Sequence, residues 1–411
     1  MSDTDVSNPI SQLRHVLLGV SGGVAAYKAC ELVRLLTKAG HTVQVVMTAA
    51  ATHFVGPATL QALSGRPVAT DQWQPLVANG MDHIDLVRAA DVLVLVPASA
   101  DCIGKAANGL GDDLLSTLVL ARGAVPTMFA PAMNREMWAN AAVQRNVRRL
   151  RDDGVHIAGP ASGEQACGEV GEGRMLEPEH IVLELEALFQ PRQLVGRRVL
   201  ITAGPTFEPW DAVRGLTNRS SGKMGWALAR AAWEQGAEVT LVAGPTALQQ
   251  PYGVRLLPVE TALQMRAAVL AALPGVDVFI AAAAVADWRP SQAHAGKLKK
   301  QADQPSPVLQ LDINPDILAE VAARPDAPYC VGFAAEADDL LANAQAKRKR
   351  KGVPLLVGNL GPQTFGRDDN AGVLIDAHGT TDLPRAGKLE LGRRIVSEIA
   401  LRLPTGSHAQ P

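Results

Sequence analysis

Short, unbroken apolar runs alternate with helix-length amphipathic segments along this chain, and midway the alternation stops and begins again. From residue 15 the order is "HVLLGVS" as strand, "VAAYKACELVRLLTKAG" as a helix ending at Gly40, then "TVQVVMT", "DVLVLVPAS" and "VPTMFAPAM" as strands and one helix through "MWANAAVQRNVRRLRDD". Strands that are apolar along their whole length are covered on both faces, which predicts a parallel sheet between two helical layers. Near residue 198 the pattern restarts with "RRVLITAGPT", followed by "GKMGWALARAAWEQGAEVTLVAGPT" as helix and strand and by the strands "VDVFIAAAAVADW", "APYCVGFAAE" and "VPLLVGNL". The predicted fold class is therefore α/β, with two Rossmann-like doubly wound domains spanning residues 1–190 and 191–411. The boundary is placed in "LFQPRQLVGRR", where a proline interrupts helix-like sequence. A length of 411 residues fits two such domains.

A net charge of -2 with only 19% charged residues offers no field that would gather nucleic acid or an acidic membrane. The expected partners are small molecules or further subunits. Cys30, Cys102, Cys167 and Cys330 are widely spaced with no CxxC, which argues against a zinc site or a disulfide framework and for a reducing compartment. The opening "MSDTDVSNPISQ" lacks the basic-then-apolar pattern of a signal peptide, and no apolar run approaches a membrane span. The expected location is cytoplasmic.

In the first half, "GVSGGVAAYKA" puts Ser21, Gly22 and Gly23 between strand and helix, where backbone N–H groups can hold a phosphate or simply let the two elements pack closely. It matches neither GxGxxG nor GxxxxGK[ST], so a dinucleotide site and a P-loop lose support. His83 in "MDHIDL" is flanked by Asp82 and Asp85, carboxylates able to set its tautomer or raise its pKa. Asn134 in "APAMN" follows a strand, where its amide could grip a carboxylate or cap a helix. "GPASGEQACGEVGEGRM" reads as a mobile, solvent-facing loop, so its Cys167 is either incidental or chemically active.

"SGGVAAYK", "HIDL", "VPASAD", "GDDLLSTLVLA", "APAMN" and "GEQACGEVGEGRM", in this order and spacing, resemble the flavin-dependent cysteine decarboxylases, specifically those acting on phosphopantothenoylcysteine. The resemblance implies a flavodoxin-like first domain that binds FMN through Ser21, Gly22, Thr48 and Ser99. It also implies His83 as catalytic base, Asn134 as holder of the substrate carboxylate and Cys167 on a flap that closes over the substrate. Relatives often carry asparagine where this chain has Asp101. A flavin suits such chemistry because oxidising the cysteinyl thiol to a thioaldehyde gives the electrons released with CO2 somewhere to go.

In the second half, "TAGPTFEPWDAVRGLTNRSSGKMG" is a strand, a long polar loop and a helix from about Lys223, with Ser220, Ser221 and Gly222 as a candidate phosphate cradle or an ordered surface loop. Asp287 and Arg289 follow an apolar strand, and "GKLKK" and "AKRKRKG" add basic clusters that suit a nucleoside triphosphate. With "NPDIL" and "VGFAAE", these segments resemble the phosphopantothenate-cysteine ligases fused to the decarboxylase in many bacteria. The resemblance implies CTP as co-substrate and a divalent cation, Mg2+, whose ligands the sequence leaves unknown. Asn218 is then assigned to the acyl intermediate, Arg214 to amide formation, Lys297 to the reacting phosphate, and Asp287, Asp316, Phe333, Lys347 and Lys351 to CTP. Phe207 stands where relatives commonly have arginine, and "GNL" at 358–360 replaces a common "AND". Coenzyme A biosynthesis from phosphopantothenate, cysteine and CTP, in a homo-oligomer of decarboxylase trimers and ligase dimers, is the implied function.

Overall fold

The computed structural model describes residues 13–73, 81–166, 168–299, 308–336, 340–360 and 367–404. One compact unit ends at Phe189 and the next begins at Gln190.

The first unit is built on strands β1 (His15–Val20), β2 (Thr42–Met47), β3 (Val92–Ala98), β4 (Thr127–Pro131) and β5 (His156–Ile157), all parallel, in the order β2-β1-β3-β4-β5. Its helices are α1 (Lys28–Lys38), α2 (Pro57–Ser64), α3 (Asp82–Arg88), α4 (Ala100–Asn108), α5 (Leu114–Ala121), α6 (Arg135–Ala139), α7 (Ala141–Asp152) and α8 (Pro178–Leu188). Leu17, Leu93, Leu95 and Phe129 from the sheet pack against Leu115 and Leu118 of α5, all essentially inaccessible to solvent. Chain order reverses between β1 and β3, and ligands of open α/β sheets bind at the carboxyl ends flanking such a switch point.

Two expectations are corrected here. The single helix expected through "MWANAAVQRN" is broken at Asn140, whose extended backbone and Oδ1, accepting from the Ala142 N–H at 2.9 Å, start a second helix. The glycine-rich segment expected to be a loop forms an antiparallel hairpin of β6 (Ala161–Glu164) and β7 (Val170–Arg174). Its strands lack apolar alternation because contacts with the loop after β4, rather than a buried face, hold it. Met133 N–H donates to Gly173 O at 2.9 Å, and a Cβ on Gly173 (φ 129°) would lie 2.4 Å from the Met133 carbonyl oxygen.

The second unit contains an eight-stranded sheet. Its strands are β8 (Arg198–Ala203), β11 (Glu238–Ala243), β12 (Val254–Pro258), β13 (Val278–Ala281), β16 (Tyr329–Glu336), β17 (Leu355–Leu360), β18 (Asp369–Ile375) and β19 (Thr380–Gly387). They run in the order β12-β11-β8-β13-β16-β17-β18-β19, parallel as far as β17, after which β18 and β19 form an antiparallel edge. Helices α9 (Lys223–Glu234) and α13 (Lys388–Arg402) cover one face, and α10 (Ala262–Ala272), α11 (Ile317–Ala322) and α12 (Leu340–Lys351) cover the other. A Cβ on Gly225 would come within 2.3 Å of that of Ala203, so glycine permits α9 to lie close on β8. The long polar loop after β8 is partly ordered as an antiparallel ribbon of β9 (Phe207–Pro209) and β10 (Gly215–Thr217), and β14 (Trp288–Pro290) pairs with β15 (Leu311–Ile313). The switch point lies between β8 and β13.

Candidate functional site

At the switch point of the first unit, the loops after β1 and β3 are tied together by Ser21. Its buried Oγ donates to Pro97 O at 2.8 Å and accepts from the Ser99 N–H at 2.9 Å. Ser99 caps α4, its Oγ accepting from the Cys102 N–H at 3.3 Å. Gly22 has no room for a side chain, since a Cβ would sit 2.5 Å from that of Ala50. Gly22, Gly23, Ser99 and Asn134 line a cavity of about 700 Å3. Ser21 lies beneath this lining. Thr48 lies off it, in the loop after β2, where its Oγ1 accepts from the Ala51 N–H at 3.2 Å.

Asn134 does two things at once. Its Oδ1 caps α6 by accepting from the Glu136 N–H at 2.8 Å, which leaves Nδ2 to donate to Glu169 Oε2 at 2.6 Å. The hairpin therefore offers its own carboxylate to the amide that faces the cavity. Trp138 Nε1 adds a bond to Glu172 Oε2 at 3.2 Å. Cys167 lies outside the described residues. His83 is the second residue of α3, half-buried, and does not line this cavity.

Lys28 and Arg174 also line it, and sequence reasoning assigned neither a role, although Lys28 stands inside the quoted "SGGVAAYK". Both pair with Glu177, Lys28 Nζ at 2.9 Å to each oxygen and Arg174 Nη2 at 2.7 Å. The Lys28 hydrogen bonds are the largest influence holding the Glu177 carboxyl below the usual range. Asp101 pairs with Lys105 at 3.3 Å on α4 and also stands off the lining.

In the second unit, a cavity of about 540 Å3 opens at the β8/β13 switch point, lined by 218–225, by 282–285 and by Phe333, Lys347, Asn359, Asn370 and Lys388 among others. Asn218, Phe333 and Lys347 of the predicted residues are brought together here. Asn218 Nδ2 donates to Ala284 O at 2.9 Å, joining the two loops that follow β8 and β13. Gly222, at φ 75°, caps the start of α9, and the first-turn residues Lys223, Met224 and Gly225, whose amides have no partner within the helix, line the cavity.

The other predicted residues stand apart from that lining. Arg214 is held by Asp211, whose Oδ2 also accepts from the Leu298 N–H at 3.1 Å, while Arg214 Nη2 donates to Leu298 O at 3.1 Å. Asp211 thus fixes Arg214 and the segment carrying Lys297 to one point, with its own carboxyl held far below the ordinary range chiefly by Arg214. Sequence reasoning missed Asp211, and its position three residues before Arg214 was the available signal. Lys297 is exposed. Asp287, exposed between β13 and β14, contributes its carbonyl oxygen to the Asn314 N–H at 2.8 Å. Asp316 caps α11 and forms an ion pair with Lys351, so these two expected nucleotide contacts are partners of each other. Phe207 belongs to β9, and a Cβ on Gly215 would clash with its ring at 2.5 Å.

Residues 6–190 match the family described as Flavoprotein, and residues 194–402 match the DNA/pantothenate metabolism flavoprotein C-terminal domain. The coenzyme A biosynthesis bifunctional protein CoaBC of Vibrio cholerae is 48% identical over 387 residues, 93% of this chain and 97% of that protein. Its counterpart in Escherichia coli is 46% identical over 395 residues, 95% and 97% of the two chains. Among solved structures, the FMN-dependent cysteine decarboxylase SpaF is 37% identical, with 40% of this chain and 91% of that one covered and a TM-score of 0.36. With nearly end-to-end identity of this size to two such proteins, the chain belongs to the family of coenzyme A biosynthesis bifunctional proteins, CoaBC.

Proposed function

We propose that this chain catalyses two consecutive steps of coenzyme A biosynthesis, with residues 191–411 joining 4′-phosphopantothenate to cysteine at the expense of CTP and residues 1–190 decarboxylating the product to 4′-phosphopantetheine. The observation that carries this reading is that each unit has its own cavity at the switch point of its own sheet, one flanked by an amide suited to a carboxylate and the other by a helix start suited to phosphates.

In the ligase step a carboxylate oxygen of phosphopantothenate attacks the α-phosphorus of CTP and pyrophosphate leaves; the amine of cysteine then attacks the acyl carbon, loses a proton and displaces CMP. The first-turn amides of α9 and the ammonium of Lys347 stabilise the phosphate charge, and Asn218 stands beside them as a donor for the acyl group. Arg214, between the two strands of the neighbouring ribbon, and Lys297, in the segment after β14, are both organised around Asp211. No cluster of three metal-ligating side chains exists among the described residues, which suits Mg2+ carried in on the nucleotide phosphates rather than held in a protein cage.

In the decarboxylase step Asn134 Nδ2 exchanges Glu169 for the substrate carboxylate, while Lys28 and Arg174 face the cavity as cations for a phosphorylated substrate. The lining fits FMN: Val24, Met133 and Met137 offer an apolar bed, and a Cβ added at Gly23 would project into open space beside the loop amides. Bound there, FMN would supply a two-electron acceptor for oxidation of the thiol-bearing carbon and the matching donor once CO2 has left. The family resemblance gives His83, which stands off this lining, the uptake of a proton, and Cys167 the return of one to the enethiolate. Cys167→Ser is expected to stop at a product two hydrogens short of phosphopantetheine, read by mass; normal product would remove Cys167 from the mechanism.

A cytoplasmic homo-oligomer built from decarboxylase trimers and ligase dimers completes the reading, to be checked by light scattering. The deciding experiment purifies the chain, identifies its chromophore by absorbance and mass, and follows pyrophosphate release with each of four nucleotides. Bound FMN and a preference for CTP support the reading; no flavin, or ATP equal to or better than CTP, contradicts it.

A further inference from the structure

Asn359 has a buried side-chain oxygen with no hydrogen-bond donor, and it lines the cavity of the second unit. An amide oxygen left unpaired out of water is unfavourable, so such an atom calls for an explanation, and a ligand that brings its own donor is one.

Its place in the sheet narrows what that donor is. Phe333 pairs with Val357, and Asn359 follows two residues later on the same strand, β17, pairing with Ala335. Partners across parallel strands share a face, and so do residues two apart, so Phe333 and Asn359 point to the same side as diagonal neighbours. Such neighbours are about 7–8 Å apart, the separation between a group that supports a flat ring and one that meets the ring's edge. The adjoining strand is irregular at this level: β18 shifts register against β19 between Asn370 and Gly372, and a Cβ on Gly372 would approach Gly358 O to 2.6 Å, so glycine lets β18 lie close against β17. Bulges of this kind re-aim side chains beside binding sites. The start of α9 and Asn218, read above as the phosphate and acyl end, line the same cavity.

We propose that Asn359 is a specificity-determining residue of the ligase, its Oδ1 accepting a hydrogen bond from the exocyclic amine of a cytosine base that lies against Phe333. The inference rests on the CTP reading above. A cytosine edge presents an N–H donor to this oxygen, whereas a uracil edge presents a second oxygen. Sites built around a buried hydrogen-bonding group discriminate strongly against the analogue that cannot satisfy it.

The test compares CTP, UTP, ATP and 2′-deoxy-CTP as co-substrates for full-length wild type, Asn359→Ala and Asn359→Asp, measuring kcat/KM for pyrophosphate release. Decarboxylation of supplied phosphopantothenoylcysteine is the control for folding and assembly. The expected result is a fall of roughly tenfold or more in kcat/KM for CTP in Asn359→Ala, little change for UTP, and so a collapsed CTP/UTP ratio. Asn359→Asp, which keeps an acceptor, retains the ratio. Equal losses with CTP and UTP, unchanged CTP kinetics, or a ratio lost in Asn359→Asp would overturn the assignment. A larger loss with CTP than with 2′-deoxy-CTP would overturn it too, by placing the donor on the ribose. A wild type that prefers ATP would instead refute the CTP reading itself.

Discussion

Asp211 touches neither cavity, yet three backbone N–H groups and the Arg214 guanidinium converge on its buried carboxylate. Removing it frees both Arg214 and the segment around Lys297, and a displacement of about 1 Å in positioned groups can lower a rate roughly 100-fold. Asp211→Asn is therefore predicted to reduce amide formation by about that factor in a coupled pyrophosphate assay while decarboxylation persists. The carboxyl's folded pKa is lowered, so its contribution to stability is full at neutral pH and declines as the pH falls below its ordinary value near about 4. The wild-type unfolding midpoint should accordingly fall in acid more steeply than that of Asp211→Asn. Gly23 permits the opposite kind of test, because its extended backbone tolerates any residue and an added side chain meets no protein atom. Gly23→Val is predicted to fold normally but to purify with less flavin, read from the ratio of visible to ultraviolet absorbance; full occupancy would show that the loop does not contact the cofactor. The two inaccessible thiols, Cys102 and Cys330, are pushed up by burial, the latter to about 12, so neither is a competing acid.

At the scale of elements, α9 and α13 are locked by Glu234, which is fully buried between Arg230 and Arg393. Arg393→Ala leaves that carboxylate with one cation and is predicted to destabilise the second unit by about 3 kcal/mol, measured by denaturant unfolding. The central strands of both sheets were legible in the sequence because covering them on two faces demands continuous apolar runs, and the start of α9 was legible from Gly222 and the residues after it. The hairpin of β6 and β7 was hidden, since what orders it is the approach of Gly173 to Met133, a contact between residues 40 apart in sequence. The break at Asn140 was hidden for a different reason: the sequence on either side is helical, and only a local capping bond separates the two helices. Of the candidate residues, Ser99, Asn134 and Asn218 lie in loops that follow strands and line the cavities, and Phe333 of β16 and Lys347 of α12 reach the second lining, whereas the Asp316–Lys351 pair and the Asp211 anchor depend on tertiary contacts that spacing does not reveal.

For the whole molecule, each compact unit has a separate cavity, and one of the two proposed reactions belongs to each. A lesion in one cavity should leave the other chemistry running within the same chain. Asn218→Asp provides the most direct measurement, because it replaces an amide donor at the proposed acyl site with a carboxylate that would repel the phosphates proposed to bind beside it. The variant and the wild type are each given phosphopantothenate, cysteine and CTP, and separately phosphopantothenoylcysteine, with products followed by mass. The variant is predicted to form no phosphopantothenoylcysteine from the first mixture yet to convert the second to phosphopantetheine at close to the wild-type rate. Loss of both conversions in a correctly assembled variant, or retention of ligation, would contradict the division of labour between the two units.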